Sequence, residues 1–110
     1  MRPMPKRLLI HRVSVLTPDG EPDAWGEQTE TETMLSFVRT DPTSKFVIDK
    51  TQKQVQLQAV LYYDLRHSRP RSFPFVEGQK IRWDGREYRI ATVEPLYDGK
   101  KLHHLEVGLG

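Results

Sequence analysis

The stretch Ile81-Arg82-Trp83-Asp84-Gly85-Arg86-Glu87-Tyr88-Arg89-Ile90 decides the fold class. Asp-Gly between two alternating runs is a strong hairpin signal, because both central residues of a tight two-residue turn need positive φ. With Asp84-Gly85 as the loop, Trp83 faces Arg86, Arg82 faces Glu87 and Ile81 faces Tyr88. Side chains alternate between the faces of a strand. One face therefore collects Ile81, Trp83, Tyr88 and Ile90, and the other collects Lys80, Arg82, Glu87 and Arg89. A slip of one residue would mix the two sets, so the register is well specified.

Working toward the C-terminus, Asp98-Gly99 repeats the signal before Lys101 to Leu109. A two-residue turn there places Thr92 opposite Leu105 and Ile90 opposite Val107. A four-residue loop from Asp98 to Lys101 shifts the pairing by two and keeps the faces. Either way Leu105, Val107 and Leu109 join Ile81, Trp83, Tyr88 and Ile90 in one apolar wall. Pro95 donates no backbone hydrogen bond and marks a bulge or an edge.

Working toward the N-terminus, Val55 to Asp64 is a strand with Val55, Leu57, Ala59, Leu61 and Tyr63 on one face. Arg7 to Leu16 and Thr29 to Thr40 are two further strands, separated by the turn-forming Thr17-Pro18-Asp19-Gly20 region. Trp25 is expected to fold back over one end. Residues 41–54 and 65–77 read as long loops, with room for a short helix or, at Phe46-Val47-Ile48, a brief strand. Residues 1–6 read as a flexible segment. The expectation is a single domain over 1–110: all-β, a small antiparallel barrel or sandwich of about six to seven strands, ending in a three-stranded meander.

The chain has 110 residues, enough for one small core. It has no cysteine, which excludes disulfides and thiolate metal sites and fits a reducing compartment. No apolar run approaches the ~20 residues of a membrane helix, and the first residues lack a signal-peptide core. The expectation is a soluble protein used without export. Charge is segregated along the chain. Asp19 to Met34 holds Glu21, Asp23, Glu27, Glu30 and Glu32 and no Lys or Arg, whereas Arg66 to Ile90 holds seven basic residues against three acidic. Such segregation either gives ordinary solvated faces or steers head-to-tail contact between copies.

No catalytic motif stands out. His103 and His104 are adjacent, so regular strand geometry sends them to opposite faces and denies them a shared ion. His11 and His67 are remote, no zinc spacing occurs, and no phosphate loop or nucleophile elbow is present. Neither catalysis, a metal nor a cofactor is expected. A nucleic-acid-binding barrel is the alternative class. Tyr62, Tyr63, Phe73, Phe75 and Trp83 would stack bases, and the basic arm from Arg66 to Arg71 would meet phosphates.

Four segments taken together resemble the minor capsid, or head–tail connector, proteins of tailed bacteriophages. They are Ala59-Val60-Leu61-Tyr62-Tyr63-Asp64, Ile81 to Ile90, Val93-Glu94-Pro95-Leu96-Tyr97-Asp98 and Leu102-His103-His104-Leu105-Glu106-Val107. The resemblance runs from Arg7 to Leu109 and is strongest from Val55 onward. It implies a small head-closure (stopper-like) barrel, made in the host bacterial cytoplasm and placed at the virion head–tail junction. There it would form a ring that closes the DNA channel after packaging and offers a tail-docking surface. Its partners would be further copies of itself, portal or adaptor rings, tail proteins and packaged DNA, with no membrane. An adaptor or tail-completion role is the alternative within the family. Lys45, Phe46, Val47, Ile48, Lys50 and Lys53 are then the candidate channel-facing residues, unless Phe46-Val47-Ile48 merely pins an ordinary connection to the core. Glu27, Glu30, Glu32, Arg66, Arg69 and Arg71 are the candidate contacts between subunits or with partners.

Overall fold

The computed structural model describes residues 5–19, 24–26 and 29–110. Among the described residues, eight strands follow a 3-10 turn at Lys6–Leu8: β1 His11–Asp19, β2 Thr29–Pro42, β3 Phe46–Ile48, β4 Gln54–Gln56, β5 Ala59–Asp64, β6 Lys80–Trp83, β7 Arg86–Asp98 and β8 Lys101–Leu109. Six of them close a barrel in the order β1-β2-β5-β8-β7-β6, and β3 and β4 form a separate two-stranded sheet. The fold is therefore the all-β barrel of the two expected architectures. Every neighbouring pair in the barrel is antiparallel.

The hairpin at Asp84-Gly85 has the register its alternation dictates: Ile81 pairs with Tyr88, Arg82 with Glu87 and Trp83 with Arg86. Asp84 and Gly85 take φ of 51° and 74°, as a two-residue turn of this hand requires. Ile81, Tyr88, Ile90, Val107 and Leu109 are buried in the barrel interior, with Trp83 and Leu105 packed against them. Val13, Val15, Leu35, Val38, Ala59, Leu61 and Tyr63 complete that core.

The second hairpin departs from its expected pairing. Its turn falls on Gly99-Lys100, because Asp98 pairs with Lys101. Tyr97 opposite Leu102 and Ile90 opposite Leu109 match the four-residue alternative, but between them the register slips twice. Ala91 and His103 are the extra residues. Thr92 consequently faces Gly108, where neither expected loop length would place it. A bulge sets two residues against one and reverses the alternation beyond it. That is how Ile90 and Val93 both contact the core while Ala91 turns outward. Pro95 lies where β7 has lost its pairing with β6, on a free edge.

A third bulge opposes Arg12 to Ser36 and Phe37, which lets both Leu35 and Val38 point inward. Phe37 takes φ 55°, an uncommon conformation for an aromatic residue.

The expected strand Val55 to Asp64 is broken at Leu57-Gln58. The Leu57 N–H donates to Lys45 O and the Gln58 N–H to Leu109 O, so the chain changes partners there. The alternation restarts, and Val55 and Leu57 pack outside the barrel instead of beside Ala59, Leu61 and Tyr63. The segment 41–54 is correspondingly no open loop. β2 runs through Pro42, and β3 and β4 form a hairpin strapped to the outer wall over Leu57, Val60, Tyr62 and Ala91. Gly108 lies beneath it. A Cβ there would stand 2.5 Å from Thr92 Oγ1 and 2.9 Å from Leu57 Cδ1.

Candidate functional site

Strand directions alternate around the closed barrel, so β1, β5 and β7 run the same way. The β1–β2, β5–β6 and β7–β8 connections therefore share one end. The β5–β6 connection, residues 65–79, crosses that mouth and fills it. Leu65, Phe73 and Phe75 pack on the core, with Phe75 edge-on to Tyr63 at 5.2 Å and to Phe73 at 4.9 Å. The Tyr63 hydroxyl donates to Pro70 O and accepts from the Phe73 N–H, anchoring the residues that follow the cis Arg69-Pro70 bond.

The start of this plug is held by a buried polar clamp. Asp64 Oδ1 accepts from the Arg66 and His67 N–H groups, at 2.7 and 3.3 Å. Ser68, fully buried, receives the Asp64 N–H on its hydroxyl and donates that hydroxyl to Phe37 O. Ser36 and Arg69 exchange two backbone hydrogen bonds alongside. The left-handed Phe37 is thus fixed by its neighbour loop, and its ring lies outward under the Lys6 ammonium, 4.2 Å from the centroid. This clamp is absent from the sequence-based expectations. Its available signal was an aspartate two residues before a backbone N–H it can cap.

On either side of the plug a two-stranded ribbon continues beyond the barrel wall. In one, Thr17 to Asp19 pair with Thr29 to Thr31 after β6 has ended. In the other, Tyr97 and Asp98 pair with Leu102 and Lys101 after β5 and β6 have ended. The molecule measures 50 × 29 × 29 Å accordingly. Trp25, expected to cover the mouth, is instead 88% exposed; the mouth is already filled by the plug.

The bulge at His103 also corrects the histidine geometry. The rings do not point to opposite faces: their Nδ1 atoms are 2.7 Å apart. His104, buried beside Tyr62 and paired with Asp64, has its pKa lowered, first by burial and then by His103, against the opposing pull of Glu106 and Asp64. No cluster of three or more metal-ligating side chains occurs among the described residues.

The candidate residues fall into different surroundings. Glu27 lies outside the described residues. Glu30 is 3.1 Å from Lys80 within the same chain, and Glu32 is exposed at the base of that ribbon. The Arg69 guanidinium donates to Arg66 O and Ser68 O in its own loop, while Arg66 and Arg71 are exposed. On the strapped hairpin Val47 alone of Phe46-Val47-Ile48 packs inward, opposite Val55. Phe46 and Ile48 are 59% and 57% exposed, and Lys45, Lys50 and Lys53 are exposed around them. The hairpin tip is organised by Asp49. Its Oδ1 accepts from the Thr51 hydroxyl and from the Thr51 and Lys53 N–H groups. These bonds, the Thr51 hydroxyl foremost, hold its pKa below the usual value. The Lys50 N–H reaches Glu77, and a groove of about 610 Å³ separates tip and wall.

The described residues thus form a plugged barrel with two projecting ribbons and a hairpin strapped to its wall. A profile of the minor capsid protein family matches residues 5–109, and the chain belongs to that family. Its role is that of a structural protein of the phage virion. No match was found among the curated proteins.

Proposed function

We propose that this protein is a ring subunit of the head–tail connector, closing the DNA channel after packaging and offering a surface on which the tail docks. The observation that carries this reading is the polarity of the barrel. One end bears the plug, both ribbons and the arginines Arg66, Arg69 and Arg71; the wall bears the hairpin with Lys45, Lys50 and Lys53. Such a subunit has separate surfaces for its neighbours and for packaged DNA. Exposed lysines on a hairpin of mixed charge suit DNA contact that is weak enough to be released, since phosphate attraction scales with the number of cationic contacts.

The base-stacking alternative finds less support. Tyr63, Phe73, Phe75 and Trp83 pack on the barrel core, and Tyr62 lies under the hairpin. Stacking bases on them would require unpacking the fold.

Gold-labelled antibody on purified virions tests the location, with label expected at the junction. Label elsewhere on the capsid sinks the connector role. The triple change Lys45→Glu, Lys50→Glu and Lys53→Glu tests the hairpin and is expected to give heads that lose DNA. Heads that keep DNA and join tails would reject the hairpin as the channel surface. A flat fluorescence-anisotropy titration of free protein with DNA at low salt would remove the nucleic-acid-binding alternative.

A further inference from the structure

We infer that the two ribbons are each other's partners in trans: the β1–β2 ribbon of one copy seats against the β7–β8 ribbon of the next. This rests on the ring reading above and names the contact that would build the ring.

Three observations carry it. The first is position. In the closed order β1-β2-β5-β8-β7-β6, β5 alone separates the two hairpins on one side and β6 alone on the other. The ribbons therefore rise on opposite sides of the barrel. Since β1 and β7 run the same way, both rise at the same end. Copies standing side by side with one common direction bring the first ribbon of each to the second ribbon of its neighbour. That contact is heterologous, and it closes into a ring when the rotation per copy divides a full turn.

The second is charge. The β1–β2 ribbon carries Glu30, bonded to Lys80 of the wall, and exposes Glu32 at its base. The β7–β8 ribbon exposes Lys100 and Lys101 at its tip beside Asp98, with Arg66 near its base, which leaves it net positive. Opposite signs on the two ribbons favour this pairing over the contact of like ribbons. The third is apolar surface. Trp25 on the acidic side is 88% exposed and Tyr97 on the basic side 56% exposed. Trp and Tyr are the side chains that most often dominate an interface.

The chain has no cysteine, so engineered cysteines report without background. Virions carrying Thr31→Cys together with Lys100→Cys are oxidised and run without reductant. Within one chain these positions lie on opposite sides of the barrel, too far for a disulfide. A chain linked once to each of two neighbours gives a ladder of multimers. Either single variant gives dimers at most. The expected result is a ladder that needs both cysteines and that fades when Lys101→Glu is added. The pair Glu32→Cys with Lys101→Cys serves if the first pair folds poorly by circular dichroism. Several copies per virion with no ladder from either pair would overturn the ribbon contact and leave the connector role standing. Absence of the chain from virions would overturn both.

Discussion

The Nδ1 atoms of His103 and His104 face each other at 2.7 Å across a bulge in β8. At that separation one nitrogen holds the hydrogen and the other accepts it, so the contact tolerates at most one proton between the two atoms. Protonating the second ring forces the pair apart.

The sign of the pH effect follows. The folded pKa of His104 lies below its unfolded value, so the unfolded chain binds the proton more readily. Stability from this group is complete above about pH 6.5 and falls as pH drops through that value toward the folded pKa. Urea unfolding is expected to show lower stability at pH 5 than at pH 7.5. His104→Gln should flatten the difference, and an unchanged slope in that variant would locate the effect elsewhere. Asp49, also shifted downward, acts only below its ordinary carboxylate range and leaves this window clear.

Gly108 should resist enlargement. A methyl group there meets the stiff Thr92 hydroxyl and a fully buried Leu57. Gly108→Ala is expected to cost about 1–3 kcal/mol as an overpacked site. Adding Thr92→Ala should recover part of that cost in a double-mutant cycle of urea midpoints. Simple additivity would show that the two sites do not press on each other.

Ser68→Ala removes the hydroxyl that serves both Asp64 N–H and Phe37 O. Leaving a buried N–H and a partly buried carbonyl unpaired should cost about 1–3 kcal/mol. The amide of Asp64 should lose its protection in hydrogen exchange well before the hairpin at Asp84-Gly85 does. Equal loss at both places would mean that the clamp is not a local device.

Gly85→Ala puts a Cβ at φ 74°. It is expected to destabilise by about 1–2 kcal/mol, read from the thermal midpoint. Asp84→Asn, which tolerates the same conformation, should be close to neutral.

The sequence-based expectations succeed and fail for separable reasons. The pairing of Ile81 with Tyr88 is legible because strict alternation and an Asp-Gly turn fix it locally. The pairing of Thr92 is not, because the bulge at Ala91 serves a distant need: Leu57 must reach Gly108 from outside the barrel. The break at Leu57-Gln58 leaves the apolar alternation intact in the sequence, and only the change of hydrogen-bond partner reveals it. Phe73 and Phe75 sit among prolines and read as loop, yet they close the barrel mouth. Of the candidate site, the exposure of Lys45, Lys50 and Lys53 agrees with their sequence context. The bond between Glu30 and Lys80 spans 50 residues and lies beyond any local pattern.

Closure has one further consequence. Six strands in a closed circle hide their backbone edges, and barrel strands regain free edges where the ribbons leave the wall. Proline stands in both of those places: Pro18 in β1 past the end of β6, and Pro95 in β7 past the same strand. Lacking an N–H, each interrupts a row of donors that a foreign strand would need. Addition of a foreign strand along these two edges is thereby discouraged, and the surface left there for contact is one of side chains rather than backbone.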